Sequence, residues 1–163
     1  MINRVTGEID FEDGLRILPH CSVQSLSTPS ENPLKVRSRN LSLKGWKRHV
    51  LGPHQSTHGI FAVEAISAAD GCIHIVLLSH QHPFYEPDTP EDAERRAFHE
   101  GVIASELGGQ RVFTWGEVIC RLVMPTNQDW LVVAYSRQPR VPLPDTTVLL
   151  TLYANERLPD NTG

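Results

Sequence analysis

The sequence contains one helical repeat among segments that are otherwise strand-like, and this contrast constrains the fold more than any other feature. Apolar residues recur at spacings of three and four at Ala93, Ala97, Phe98, Val102, Ile103 and Leu107. Asp88 or Thr89 can cap this segment, and Gly108 follows it at the position where helices commonly end. These residues predict one helix of about five turns with one face packed on a sheet.

Strand patterns fill most of the remaining chain. Ile73–Leu78 and Trp130–Tyr135 are nearly continuous apolar runs, which is typical of central strands buried on both faces. Further strand patterns lie at Glu8–Phe11, Leu15–Leu18, Lys35–Leu43, Lys47–Leu51, Gly59–Ser67, Val112–Val123 and Thr146–Tyr153. The sequence therefore predicts an α+β fold, in which a mostly antiparallel sheet of about seven strands carries one principal amphipathic helix packed on it.

Three local breaks in the strand patterns are expected from turn-forming residues. Gly52-Pro53 should end a strand and place His54 and His58 in a solvated loop. Trp115-Gly116 should put a bulky core residue beside a bulge. Thr126–Asp129 should form a turn before the second apolar run, because its residues favour turns over strands.

The chain of 163 residues fits one domain, which we place at residues 1–158, with a frayed tail at residues 159–163. No run approaches the roughly 18 apolar residues of a membrane-spanning helix, and the first residues lack the apolar core of a secretory signal. Cys21, Cys72 and Cys120 are widely spaced and form no C-x-x-C pair, which favours reduced thiols and a cytoplasmic location.

The charges are distributed unevenly along the chain. Between Leu34 and Val63 there is no acidic residue and six basic ones, which are Lys35, Arg37, Arg39, Lys44, Lys47 and Arg48. The other residues carry nine basic and nineteen acidic side chains, a balance of −10, although the net charge of the whole chain is only −4. This split predicts a basic surface on an acidic body and disfavours generic nucleic-acid binding. A row of lysine and arginine can also simply guard a sheet edge.

The common catalytic and nucleotide-binding motifs are absent from the sequence. There is no G-x-S-x-G, no G-x-x-x-x-G-K-[ST] and no G-x-G-x-x-G, so we assign no catalytic residue. Cys120 lies in the apolar segment Val118–Val123, which predicts a buried and inert thiol. His74 lies inside a buried strand pattern, which predicts a core histidine with a hydrogen-bonded ring.

A second possibility is a metal-dependent enzyme. His80 and His82 are two residues apart at the end of a strand pattern, so both rings can project to the same side, and Glu86 follows four residues later. This segment resembles part of the first metal motif of the cupins, and it departs from them because no second half-motif follows. The resemblance implies one divalent metal ion held by His80, His82 and Glu86, as the alternative to a protein without a cofactor.

A wider resemblance covers about a third of the chain. Phe98-His99-Glu100, then Leu107-Gly108, Phe113–Val118 and Trp130–Tyr135 resemble a group of small, mostly uncharacterised bacterial α+β proteins. Some members of that group are of the immunity type, which neutralises a cognate toxin. The resemblance implies a compact α+β domain, and it implies binding to a partner protein.

We therefore expect a non-enzymatic protein-binding domain, an immunity-type toxin neutraliser or a related accessory protein. Two surfaces are candidates for the partner. The acidic candidate consists of Glu86, Asp88, Glu91, Asp92 and Glu94, and the basic candidate consists of Lys35, Arg37 and Arg39 with Trp46 as an aromatic anchor. Self-association through an exposed sheet edge is a third possibility. No membrane partner is expected.

Overall fold

A computed structural model describes residues 1–26, 34, 36–41, 44–82, 92–123 and 128–136. The strands are β1 (Ile9–Asp10), β2 (Arg16–Ile17), β3 (Arg37–Asn40), β4 (Lys47–Ser56), β5 (Gly59–Ser67), β6 (Ile73–Gln81), β7 (Val112–Phe113), β8 (Gly116–Val123) and β9 (Gln128–Tyr135). The helix α1 spans Ala93–Leu107, and a 3-10 turn spans Val23–Ser25. The strand pattern at Thr146–Tyr153 and the tail at residues 159–163 lie outside the described residues.

The main sheet has seven strands in the order β3-β4-β5-β6-β9-β8-β7, and every neighbouring pair is antiparallel. All neighbours are adjacent in sequence except β6 and β9, between which the chain forms α1, β7 and β8. Strands β1 and β2 form a separate two-stranded sheet. The predicted α+β fold, an antiparallel sheet with one helix packed on it, is confirmed.

The central strands are buried on both faces because each face of the sheet carries its own apolar cluster. On the face that packs against α1, the cluster includes Phe61, Val76, Leu131 and Ile103. On the opposite face, a second cluster is formed by Leu41, Trp46, Ile66, Ala68, Ile75, Leu77, Trp130, Val132 and Ala134. Every residue from Ile73 to His80 is buried, as the continuous apolar run predicted.

Strand β4 does not end at Gly52-Pro53, contrary to the sequence-based expectation. Its pairing with β5 shifts register between Val50 and Gly52 and then continues to Ser56. Pairing between β3 and β4 reaches only Val50, so in the described residues Pro53 lies where β4 has one strand neighbour. Proline is tolerated there because its missing N–H is not needed by a second strand. His54 therefore lies on a strand and is buried.

The interruption at Trp115-Gly116 is a full chain reversal and not a bulge. Val112 and Phe113 pair antiparallel with Glu117 and Gly116, so the expected single strand is a hairpin of β7 and β8. Trp115 is a core residue, as expected. Its indole Nε1 donates to the carbonyl of Arg4, 2.9 Å away, which ties the hairpin to the amino-terminal segment.

Strand β9 begins earlier than expected. Gln128 and Asp129 are paired with Val123 and Leu122 of β8, so these two residues are in the sheet and not in the predicted turn. Strand alternation then puts Asp129 on the same face as Leu131 and Val133, which is the face that α1 covers. A carboxylate is thereby placed beneath the helix.

Candidate functional site

An exposed and charged part of the sheet lies on β3, next to Arg48 of β4. We call Arg37, Arg39 and Arg48 the basic surface. All four residues of β3 are exposed, and in the antiparallel register Arg39 is opposite Arg48, while Arg37 is opposite Val50. A cavity of about 230 Å³ opens here, lined by Arg37, Ser38, Arg39, Arg48 and Val50. The sequence-based prediction of a basic strand thus corresponds to a concave surface.

The guanidinium of Arg48 is oriented by a buried carboxylate on the neighbouring strand β5. Arg48 Nε lies 2.9 Å from Glu64 Oε2, and Arg48 Nη2 lies 3.2 Å from Glu64 Oε1. Glu64 is buried on β5. This two-point contact fixes the plane of the guanidinium, because arginine and carboxylate match as a pair of parallel hydrogen bonds.

A chain of side-chain hydrogen bonds also ties β3 to the sheet. Ser38 Oγ and Ser67 Oγ each lie 2.8 Å from a different ring nitrogen of His49. Burial and then the charge of Lys47 lower the pKa of His49, so its ring is neutral at pH 7. The basic surface is therefore carried by a strand that is anchored through its other face.

Trp46 is not the exposed aromatic anchor that the sequence suggested. It is only 6% exposed and packs with Leu41 and Ile66 in the second apolar cluster. An indole in that position stabilises the sheet and is not offered to a partner. Lys35 lies outside the described residues.

The acidic candidate surface is only partly described. Glu86, Asp88 and Glu91 lie outside the described residues. Glu94 is exposed in the first turn of α1, but Asp92 is buried and accepts hydrogen bonds at Oδ2 from Arg95 and from the backbone N–H of Asp129. Asp92 therefore helps to hold the helix on the sheet and is not a surface carboxylate.

A polar cluster lies between α1 and the sheet. His99 is fully buried, and its Nδ1 lies 2.7 Å from Asp129 Oδ2. The backbone N–H of His80 donates to His99 Nε2 at 3.1 Å. Arg96 Nε approaches Asp129 Oδ1 at 3.4 Å. The helix is thus joined to β6 and β9 by hydrogen bonds as well as by apolar packing.

His99, Cys120 and Asp129 present donor atoms that all lie within 4.8 Å of one another, the one such group in the described part of the chain. The protonation of the ring argues against a metal at this cluster. Because the His80 N–H occupies Nε2, the neutral His99 ring carries its proton on Nδ1 and donates it to Asp129. Metal binding through Nδ1 would move that proton to Nε2, against the His80 N–H.

Cys120 does not have the properties of a nucleophile. Burial, and then the negative charges of Asp129 and Glu100, raise the pKa of its thiol to about 12. Nucleophilic cysteines need the opposite, a lowered pKa that maintains the thiolate near neutral pH. The thiol is therefore protonated under physiological conditions, in agreement with the inert thiol that the sequence predicted.

His80 and His82, the predicted metal ligands, lie close together without a third described donor. Their ring centroids are 6.3 Å apart, and Glu86 lies outside the described residues. The His80 ring stacks on Phe98 with a centroid distance of 3.6 Å, and a side chain at Gly59 would collide with it. Metal binding by His80, His82 and Glu86 stays a prediction.

His80 should make the protein less stable in acid. Burial, and then electrostatic interaction with His99 and His82, lower the pKa of His80 to about 4 from 6.5. The unfolded chain binds the proton of His80 more tightly than the folded chain does. The contribution of neutral His80 to the free energy of unfolding is therefore complete above pH 6.5 and is lost as the pH falls towards 4. We expect His80→Phe to reduce the slope of unfolding free energy against pH by about 1.4 kcal/mol per pH unit in this window.

Urea unfolding at several pH values measures this slope. Val5→Thr, which changes a side chain that is 82% exposed and has no titratable group, serves as the control and should leave the slope at that of the unmodified protein. Equal slopes in the His80→Phe variant and the unmodified protein would show that His80 is not the responsible group.

A second pair of histidines, His20 and His74, is packed edge to face with ring centroids 5.1 Å apart. His74 is 1% exposed, and neither of its ring nitrogens has a hydrogen-bond partner; the buried Nδ1 of His20 has none either. The expectation of a hydrogen-bonded His74 ring is therefore wrong. Asp70 Oδ2 is the carboxylate oxygen nearest to His74 Nε2, at 3.8 Å, beyond hydrogen-bond distance.

Sequence reasoning missed His99, Asp129 and His20 as members of polar clusters. One signal was present for Asp129, because extending the alternation of the Trp130–Tyr135 run back by one residue places it on the helix-facing side. No comparable signal exists for His20, whose neighbours in space come from distant parts of the chain.

No protein-family model, curated protein or solved structure matches this chain. In the described residues, no helix has the length and apolar character required to cross a membrane.

Proposed function

We propose that this chain is a non-enzymatic binding protein whose basic surface docks an acidic face of another protein. The observation that carries the proposal is the position of Arg37 and Arg39 on a fully exposed strand at the rim of a cavity of about 230 Å³. Arginine suits this role because its planar guanidinium can donate two parallel hydrogen bonds to one carboxylate.

Contacts from β4 and β5 order the basic surface before a partner binds, which favours a role in docking. Arg48 is oriented by Glu64, and Ser38 is anchored through His49. A surface that is already ordered loses less conformational entropy when a partner binds. Complementary charge adds speed and selectivity, since opposite potentials steer the encounter and like charges exclude other partners.

The state of the reactive groups in the cluster under α1 supports binding over catalysis. The thiol of Cys120 has a raised pKa, and both ring nitrogens of His99 are engaged in hydrogen bonds. A general base needs a ring nitrogen that can reach the substrate, and a nucleophilic cysteine needs a thiolate. Neither group is prepared for such chemistry.

The specific form of this proposal is an immunity-type protein that neutralises a cognate toxin. It rests on the resemblance carried by the segments around Phe98, Trp115 and Tyr135, and on the basic surface as the site for an acidic toxin face. Enzyme neutralisers need high affinity, and charge pairs at the rim of such an interface raise the association rate.

The double variant Arg37→Glu/Arg39→Glu tests the basic surface. As a defined probe we would use a synthetic oligoglutamate peptide, with oligolysine as the probe of opposite charge. We expect the unmodified protein to bind oligoglutamate with an affinity that falls with added salt, and the double variant to bind it at least about tenfold more weakly. Isothermal titration calorimetry at two salt concentrations measures both effects.

Arg4→Glu is the matched control, because Arg4 is exposed and its side chain donates only to Gln110 among the described contacts. This control should keep oligoglutamate binding within about twofold. In parallel, both variants and the unmodified protein would serve as bait in extracts of the native host. A stoichiometric partner that the double variant retains at undiminished affinity would contradict the proposal.

A further inference from the structure

Strand β3 forms one edge of the described sheet. It is the first strand in the order, and β4 is its one described strand neighbour. All four of its residues, Arg37–Asn40, are exposed. An exposed edge strand presents outward N–H and C=O groups with which a strand of another chain can pair. The side chains along the edge decide which chain it accepts.

The hydrogen bonds between β3 and β4 determine which backbone groups face outward. Leu41, directly after β3, donates its N–H to the carbonyl of Trp46 at 2.9 Å. In an antiparallel pair, residues that exchange hydrogen bonds alternate with residues that do not. Counting back by two, Arg39 and Arg37 direct their backbone groups towards β4, as Leu41 does. Ser38, which lies between them, therefore directs its N–H and C=O away from β4, to the outer edge.

The same alternation places the two arginines of β3 together. Arg37 and Arg39 are two residues apart, so both side chains project from one face of the strand. Their partners on β4, Val50 and Arg48, lie on this face as well. These four residues also line the cavity of about 230 Å³. A strand added at this edge would therefore bring every second side chain beside the cavity.

The charges on this face select an acidic strand. Arg39 lies directly opposite Arg48, and Arg48 is paired with Glu64 on β5. Opposite charges on neighbouring strands stabilise a sheet, and like charges directly opposite each other destabilise it. A second copy of β3 centred on Ser38 would place Arg37 opposite Arg39. A carboxylate in that position would instead give Arg39 an oppositely charged neighbour on its outer side.

We propose that β3 binds an extended acidic segment of the partner protein as a further antiparallel strand, with two carboxylate side chains, separated by one residue, opposite Arg37 and Arg39. This inference rests on the proposed function and specifies how the acidic partner docks. Residues that face each other without exchanging hydrogen bonds have the closer Cα atoms, about 4.5 Å apart. The two acidic residues occupy such positions, so their carboxylates meet the guanidiniums.

This arrangement makes one backbone N–H of the bound segment essential and two others dispensable. The residue between the two acidic ones pairs with Ser38, donating to its carbonyl and accepting from its N–H. The N–H groups of the two acidic residues point to the far side of the added strand. N-methylation at the two kinds of position therefore separates strand pairing from charge, because both methylated peptides keep the same two carboxylates.

NMR titration of the isotope-labelled full chain with end-blocked peptides tests the proposal. The reference peptide is Thr-Glu-Val-Glu-Thr, and two variants carry a single N-methyl group, on the valine or on the first glutamate. We expect the valine-methylated peptide to bind at least about tenfold more weakly than the reference, and the glutamate-methylated peptide to bind within about twofold of it. The isomer Thr-Glu-Glu-Val-Thr, whose carboxylates would lie on opposite faces of a strand, should also bind more weakly.

Two variants of Ser38 examine the same backbone group from the side of the protein. Ser38→Pro removes the outward N–H, and proline is tolerated at an edge where that group faces away from the sheet. Ser38→Ala loses the same hydroxyl but keeps the N–H. Ser38→Pro should therefore bind the reference peptide at least about tenfold more weakly than Ser38→Ala. The peptide series keeps the test valid if Ser38→Pro does not fold.

The possible failures of strand addition and of acidic docking are distinguishable. Equal affinity for all four peptides would overturn strand addition and leave the docking of an acidic partner standing. Absence of binding to these peptides and to oligoglutamate would overturn both. Amide shifts at Ser38 and Asn40 that depend on protein concentration without peptide would assign the edge to a second copy of this chain, and would also overturn the proposal.

Discussion

Asp129→Ala should lower the free energy of unfolding by about 3 kcal/mol. The carboxylate is fully buried, and its removal leaves the Nδ1–H of His99 without an acceptor and takes away the ion-pair partner of Arg96. His99 is also fully buried, so its ring stays without an acceptor in the variant. Urea denaturation at neutral pH measures the loss.

Glu94→Ala is the control for this substitution, since Glu94 is an exposed carboxylate on the same helix. It should change stability by no more than about 0.5 kcal/mol. The loss of stability in Asp129→Asn should lie between the losses in Asp129→Ala and Glu94→Ala. An amide oxygen can still accept a hydrogen bond from His99, but it carries no charge to attract Arg96. A loss below about 1 kcal/mol for Asp129→Ala would show that the cluster does not hold the helix.

Gly116→Ala should be the most damaging small substitution in the described chain, with a loss of at least about 4 kcal/mol or failure to fold. Gly116 has φ +153°, a conformation that side chains rarely allow. An added Cβ would lie 2.9 Å from the Cα of Tyr135 and 3.0 Å from the carbonyl carbon of Ala134. These are backbone atoms of β9, which cannot move without breaking the pairing of β8 with β9.

Gly101→Ala adds the same methyl group as Gly116→Ala, but it should stabilise the protein. Gly101 lies in the middle of α1, and an added Cβ meets no atom within 4 Å. Alanine is the better helix former, so the variant should gain about 0.5–1 kcal/mol. Thermal unfolding of both variants by circular dichroism tests the pair. A Gly116→Ala protein as stable as Gly101→Ala would mean that the β7–β8 reversal is placed differently.

The predictable part of the fold came from repeating patterns. The apolar stripe from Ala93 to Leu107 predicted α1, and Gly108 ends it with φ +63°. The N-cap is Asp92, and the predicted caps Asp88 and Thr89 lie outside the described residues. The apolar runs predicted β6 and β9 as central strands. Periodicity is a local property that burial on one or two faces imposes on the chain, so it can be recovered without knowing the neighbours.

The structural features that the sequence did not predict have a different cause, which is pairing with distant strands. At Gly52-Pro53 and Trp115-Gly116 the same residue types suit a loop, a bulge or a hairpin, and strand partners decide among them. β4 continues because β5 pairs with it beyond the register shift, and β7 reverses because Phe113 pairs with Gly116. Trp46 shows the same limit, since an indole suits both a core and a docking surface.

The sequence by itself determined the α+β class, the helix between strands, the buried central strands and the exposed arginines of β3, because these follow from short-range patterns of polarity. The tertiary structure alone decided which polar side chains meet. His99 and Asp129 are 30 residues apart in sequence, and His20 and His74 are 54 positions apart by their numbers. Hydrogen bonds act over about 3 Å. Whether an imidazole is satisfied, as at His99, or left unpartnered, as at His74, therefore depends on chain packing that no local pattern encodes.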